Sequence, residues 1–211
     1  MSERIIIADD HPLFRTALSH AVGKVWPDAE VVEANSAAAA RLELERGGDG
    51  LLLDLHMEDS NGLSVLMDLR QDFPALPIVI VSASEEPRVY AAASQLGAAA
   101  FIPKSASLEQ MRDALAAVKE GDNWFPDTEE GTDDDLAAIA SLTPAQRRIL
   151  GQMKAGLLNK QIAYELDISE ATVKAHITAI FRKLGVVSRT QAVLLATKLD
   201  VEQPTAESAS L

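Results

Sequence analysis

The sequence contains no cysteine, which excludes disulfides and thiolate metal sites. Aromatic residues make up only 4%, although 47% of the chain is hydrophobic, a balance that fits an ordinary globular core. No apolar run approaches the roughly 20 residues that a membrane span needs. The opening stretch, "MSERIIIADD", has acid where a signal peptide would carry basic and then long apolar segments. These absences predict a bacterial-type cytoplasmic protein without membrane contact. Positive charge is short as well. The net charge of −13 argues against a chain that binds nucleic acid along its whole length.

That shortage is local. Residues 1–140 hold 10 Lys+Arg against 26 Asp+Glu, whereas residues 141–200 hold 9 against 4. An acidic first part joined to a basic second part predicts two domains with different partners. The expected division is a first domain over 1–121, an acidic linker over 122–141, a helical domain over 142–200 and a disordered tail over 201–211. The linker stretch contains seven acids and no Lys or Arg, with a short helix expected from Asp135 to Ala140.

In the first domain, short apolar runs ("RIIIAD", "AEVVEA", "GLLLDL", "PIVIVSA", "AAAFIP") alternate with stretches of helical spacing. Five strands alternating with five helices predict an α/β fold, a doubly wound parallel sheet covered on both faces. Continuous rather than alternating apolar runs suit strands buried on both sides. Pro12 and Pro87 fit first-turn helix positions, and Ser107 with Gln110 has the spacing of a capping box.

Ligands of such a sheet bind beyond the carboxyl ends of its strands. The residues finishing the runs are therefore the informative ones: Asp9 and Asp10, then Asp54, Ser82 and Lys104. Three crowded carboxylates repel one another unless a cation sits among them. A hard divalent ion with oxygen ligands resolves this, and Mg²⁺ suits one or two carboxylates plus a phosphate. Lys104 supplies a positive partner for a phosphoryl group and Ser82 a hydrogen bond. That chemistry is phosphoryl transfer onto Asp54. Any one of these residues alone would more simply cap a helix or loop; five in register with successive strand ends make that account poor.

The stretches "ADDH", "LLLDLHM…NG", "VSA" and "FIPK" resemble the receiver domain of bacterial response regulators over residues 3–121. The resemblance implies that Asp54 accepts phosphate from a sensor histidine kinase. It further implies that Asp9 and Asp10 hold Mg²⁺ with the backbone carbonyl of His56, that Ser82 and Phe101 form a switch pair, and that Lys104 contacts phosphate. Glu58 departs from the family, which commonly has proline there; it puts the loop geometry in question and adds an acid near the metal site. No zinc-like spacing surrounds His11 or His56, and neither side chain is expected to ligate.

From Leu142 onward only helices are predicted, beginning with a capping box at Thr143 and Gln146. Along "SEATVKAHITAIFRKLG", Val173, Ile177, Ile180, Phe181 and Leu184 share one face at about 100° per residue. The opposite face carries Ala171, Ala175, Thr178 and Arg182, with Lys174 on its flank and no acid. Such a face can enter the major groove of double-stranded DNA. One such helix is ordinarily just a surface helix, but "NKQIAYEL" precedes it across the tight connection "DIS", giving helix-turn-helix organisation. Asn159, Lys160, Thr172, Arg189 and Thr190 are candidate phosphate contacts.

"LTPAQRRIL", "GLLNKQIA", "LDISEATVKAHI" and "FRKLGVVSRTQAV" resemble the LuxR-type helix-turn-helix of the NarL/FixJ class, an all-α four-helix domain. The resemblance implies a recognition helix over 170–183, with Lys174, Ala175 and Thr178 facing base edges. Since Ala175 and Thr178 offer few strong base contacts, part of the sequence preference is expected to come from DNA shape. Ala192, Leu195, Ala196 and Leu199 form an apolar stripe expected to pair two copies over inverted half-sites, though it could equally pack on its own domain. RNA polymerase is left open as a further partner.

The expectation is a phosphorylation-controlled transcription factor that is not an enzyme. Two alternatives stand beside it. One is a DNA-binding regulator whose receiver is not controlled by phosphate. The other is an aspartyl-phosphate enzyme, which would need an acid–base residue beside its nucleophile; Asp54 is followed by Leu55 and His56, without a second acid two residues on.

Overall fold

The computed structural model describes residues 2–60, 62–126 and 133–201. They form two compact units, divided at Asp133. In the first, five strands alternate with five helices: β1 (Arg4–Ala8), α1 (Pro12–Val25), β2 (Glu30–Ala34), α2 (Ala37–Glu45), β3 (Gly50–Asp54), α3 (Leu63–Asp72), β4 (Ile78–Ser82), α4 (Pro87–Gln95), β5 (Ala100–Pro103) and α5 (Leu108–Glu120). The strands are all parallel, in the order β2-β1-β3-β4-β5. This is the predicted doubly wound sheet.

Burial explains the strand sequences. β3 and β4 are buried at every position, and Ile5, Ile6 and Ile7 of β1 at 2% exposure or less, because helices cover both faces. Ile5, Ile7, Leu52, Val79, Val81 and Ile102 pack with Leu18 and Val22 of α1 and Leu115 of α5 in one core layer. Each such side chain contributes about 1.5–3 kcal/mol on burial. Both Pro12 and Pro87 open helices, and Ser107 and Gln110 close their capping box.

Strand order also locates the edge that matters. The chain leaves β1 in one direction for β2 and returns on the other side for β3, so β1 and β3 are neighbours at the reversal point. Ala8 pairs with Leu53 and Asp54 with Val81, while Ser82 pairs with Pro103. The residues just beyond these pairs converge on one rim.

The stretch expected as a linker is divided in the structure. Trp124 forms a bridge with Ala100 and accepts a hydrogen bond from Phe101 N–H, extending the sheet unit past Gly121. Residues 127–132 lie outside the described residues, as do 202–211 of the expected tail. From Asp133 the chain belongs to the second unit, where α6 (Asp134–Ala140) buries Leu136 and Ile139. The acidic run reads as solvated, but two apolar residues three apart are enough to seat one helical face. Lys198 holds this helix by ion pairs to Asp133 at 2.8 Å and Asp135 at 2.6 Å.

The rest of the second unit comprises α7 (Pro144–Lys154), α8 (Asn159–Glu165), α9 (Glu170–Leu184), α10 (Arg189–Ala196) and a 3-10 turn at Thr197–Leu199. Thr143 and Gln146 form the expected capping box. Asp167, in the left-handed region at φ 51°, ends α8, and Ser169 caps α9 by accepting from Thr172 N–H. Of the α10 stripe, expected either to pair two copies or to pack on its own domain, Ala192, Ala196 and Leu199 are buried inside their own unit and Leu195 is half-buried. Leu194 and Val187, both largely exposed, are the apolar residues this end presents outward.

Candidate functional site

At the rim of the sheet, Asp9 and Asp54 are fully buried and Lys104 reaches between them. The Lys104 ammonium lies 2.7 Å from Asp9 Oδ2 and 2.7 Å from Asp54 Oδ2. Its own backbone N–H donates to Ser82 O at 2.8 Å, so β4 and β5 fix the base of the side chain. The stem passes the Phe14 ring, with the ammonium 4.8 Å from the centroid. Asp10 is on the same rim, where His11 Nδ1 approaches its Oδ1 at 2.6 Å.

Burial pushes the Asp54 carboxyl up, but hydrogen bonds from His56 and Lys104, with the Lys104 charge, outweigh it. The net position is below the ordinary carboxylate range, so Asp54 is ionised at neutral pH. One cation faces three carboxylates. Asp9 Oδ2 and Asp10 Oδ1 are buried atoms that accept no well-formed hydrogen bond. Asp9, Asp10, His11 and Asp54 each bring a ligand atom within 4.8 Å of the others. A hard divalent cation fits this oxygen-rich set.

The site opens into a cleft of about 640 Å³ whose lining includes Asp10, Phe14, His56, Glu58 and Lys104. Glu58 is exposed at its mouth. The loop does not depend on a proline there. Ser60 Oγ donates to Leu55 O at 2.6 Å, and Asp59 accepts from the first N–H groups of α2, Ala37 at 2.9 Å and Ala38 at 3.0 Å. Those bonds hold the loop after Asp54 against the neighbouring helix start.

Ser82 and Phe101 are both fully buried. Phe101 stacks at a tilt on Tyr90 of α4, with ring centroids 4.5 Å apart. The sequence reading missed two contributors. His56 turns its imidazole back to Ser82, and His11 lies beside Asp10; the expectation for both concerned metal ligation by their side chains and did not address these contacts. A spacing of two from Asp54 was the only available signal for His56. Nothing in the sequence named its partner.

In the second unit, the outward face of α9 exposes Thr172, Lys174, Ala175, Thr178 and Arg182, and Lys160 is exposed on α8. Glu170 borders this face and pairs with Lys174 at 3.0 Å, one helical turn earlier. Thr178 donates its hydroxyl proton back to Lys174 O at 3.0 Å, leaving an acceptor oxygen and a methyl group facing out. Thr172 Oγ1 is bonded to Ser169 Oγ at 2.8 Å. Arg189 is placed differently from the rest. Its guanidinium donates to Leu157 O at 2.5 Å, Met153 O at 3.3 Å and Asn159 Oδ1 at 3.4 Å, which ties it to the end of α7.

Fold and rim together define a receiver-type α/β domain joined to a helix-turn-helix domain. Comparison with known proteins makes the class specific. Residues 5–116 match the response regulator receiver domain, and residues 140–196 match the bacterial regulatory proteins of the luxR family. The chain belongs to the response regulators that carry a LuxR-type DNA-binding domain, with NarL- and NarP-type relatives.

It is 41% identical to the glycerol metabolism activator of Pseudomonas putida, covering 93% of this chain and 96% of that one. It is 34% identical to the nitrate/nitrite response regulator protein NarP of Escherichia coli K12, covering 91% and 93%. In fold it resembles RcsB from Salmonella enterica serovar Typhimurium, solved bound to the promoter P1flhDC with phosphomimetic BeF3⁻. That likeness has a TM-score of 0.56 at 23% identity and covers 94% of this chain and 100% of the other. Among the described residues, no helix is long and apolar enough to cross a membrane.

Proposed function

We propose that Asp54 is the phosphoacceptor of this response regulator and that a sensor histidine kinase is its phosphodonor. The observation carrying this reading is the position of Asp54: buried, ionised, and 2.7 Å from Lys104, which lines the open cleft. Asp9, Asp10 and Asp54, with the backbone carbonyl of His56, would hold Mg²⁺. When bound, the ion supplies neutralisation of charge on the phosphoryl oxygens. Lys104 exchanges its bond to Asp54 for one to the phosphoryl group. Ser82 donates its hydroxyl to another phosphoryl oxygen, and Phe101 with Tyr90 carries the change to α4.

The output is transcriptional control in the cytoplasm, where the DNA is. Residues 1–121 act as the receiver and 142–200 as the DNA-binding domain, joined by the acidic segment 122–141. Lys174, Ala175 and Thr178 meet base edges, while Lys160, Thr172 and Arg182 meet phosphates. Arg189 is assigned a structural part by its carbonyl contacts. The active form is a homodimer on inverted half-sites, and Leu194 and Val187 rather than the buried α10 stripe supply its apolar contact. RNA polymerase is the further partner at a promoter.

The test is intact mass after incubation with Mg²⁺ and a small-molecule phosphodonor. One added phosphoryl group is expected on the wild type, none on Asp54→Asn and none in EDTA. The alternative, a regulator independent of phosphate, is favoured by one observation: Lys104 already bridges two of the carboxylates. No mass addition in a protein that binds DNA would establish that alternative.

A further inference from the structure

The loop after β3 returns one side chain to the acceptor whose role the proposed function leaves unused. His56 is 8% exposed at its side chain, with Nδ1 3.7 Å from Asp54 Oδ1. The same nitrogen is 3.2 Å from Ser82 Oγ. Ser84 N–H donates to that Ser82 oxygen at 3.2 Å. The hydroxyl is thus held from two sides, by an imidazole from the β3 loop and by the backbone after β4. In the tautomer whose Nδ1 carries no proton, Ser82 donates its hydroxyl to that nitrogen, and turning the proton toward a third group breaks this contact.

We infer that His56 is a positioning residue: it holds the Ser82 hydroxyl in the unmodified receiver and opposes its turn toward a phosphoryl group on Asp54. This rests on the phosphoacceptor reading. A contact present in the unmodified state and lost in the modified one lowers the affinity for a phosphoryl mimic by linkage. One neutral hydrogen bond is of a size to change that equilibrium about two- to tenfold. The loop residue directly beside the acceptor therefore sets how readily the receiver switches.

The experiment is an equilibrium titration of the full-length chain with beryllofluoride in Mg²⁺, followed by amide NMR. It compares wild type, His56→Ala, Ser82→Ala and the double variant, with Asp54→Asn as control. His56→Ala is expected to bind about two- to tenfold more tightly, with the gain absent in the Ser82→Ala background. His56→Asn, which keeps a hydrogen-bonding group near the Nδ1 position, should return binding toward wild type. Without metal or mimic, Ser82→Ala should move the His56 imidazole ¹⁵N resonance.

Equal affinity in wild type and His56→Ala would overturn the inference. So would the same gain in the Ser82→Ala background, which would assign it to the Asp54 contact instead. Binding that does not depend on Asp54 would remove the phosphoacceptor reading itself, a result distinguishable from both.

Discussion

Replacing Lys104 by methionine keeps most of the side chain's volume and removes its charge. The variant leaves Asp9 and Asp54, both fully buried, facing Asp10 without the ammonium that lies 2.7 Å from each of the two. Removing one partner of a buried ion pair costs about 3–5 kcal/mol. The cleft admits water and Lys104 is 16% exposed at its side chain, so the expected cost at pH 7 in EDTA lies nearer about 2–3 kcal/mol. Urea unfolding read by tryptophan fluorescence measures it cleanly, because the two tryptophans, Trp26 and Trp124, both belong to the sheet unit.

Two further signatures separate this account from loss of packing. In the wild type the Asp54 carboxyl is depressed, so its contribution is present above the unfolded carboxylate value and lost as pH falls through the folded one. In the variant the lysine's lowering influence is gone and burial weighs more heavily. The penalty is then largest at neutral pH and shrinks on acidification, and the two stability curves converge only as pH falls below the ordinary carboxylate value, through the depressed folded value of the wild-type Asp54. Mg²⁺ should stabilise the variant more than the wild type, since no ammonium competes for the carboxylates. At ten times Kd the ion contributes about 1.4 kcal/mol. A gap that neither acid nor Mg²⁺ narrows would refute the electrostatic reasoning, and no gap at all would refute the burial argument.

Two other predictions concern the helical unit. Lys160→Ala should weaken binding to all DNA sequences alike and lower the salt slope by about one, whereas Arg189→Ala should destabilise the domain by about 1–3 kcal/mol and leave the slope unchanged, because its guanidinium serves carbonyls of Met153 and Leu157. The salt dependence of DNA binding, beside thermal unfolding, distinguishes the two. For the α6 clip, the Lys198 hydrogen bond depresses Asp133, and Asp133 with Asp135 raises Lys198. The Asp133 contribution is lost as pH falls through its folded value, and that of Lys198 as pH rises through its own. The exchange protection factors of α6, taken relative to intrinsic rates, should therefore be highest between these limits and fall on both sides, and protection uniform across pH would remove the clip.

The sequence by itself determined the sheet, because strands buried on both faces must be continuously apolar and the runs "IIIA", "LLLD" and "IVIV" admit little else. It also determined which residues end those strands, and so the acid–lysine constellation around Asp54. The outward face of α9 followed from helical period alone. Where residues meet across chain distance, only the tertiary structure decided. His56 meets Asp54, its neighbour in sequence, by chain proximity, but its contact with Ser82 exists because β3 and β4 are neighbours in parallel register. The α10 stripe has the same apolar spacing whether it faces a second copy or its own core. Packing against α7 and α9 chose the core. Arg189 carries a charge suited to phosphate, yet the fold brings carbonyls from the end of α7 and the loop after it within its reach. Period and strand ends are local properties of a chain; the partner of a polar group is set by whatever the fold brings beside it.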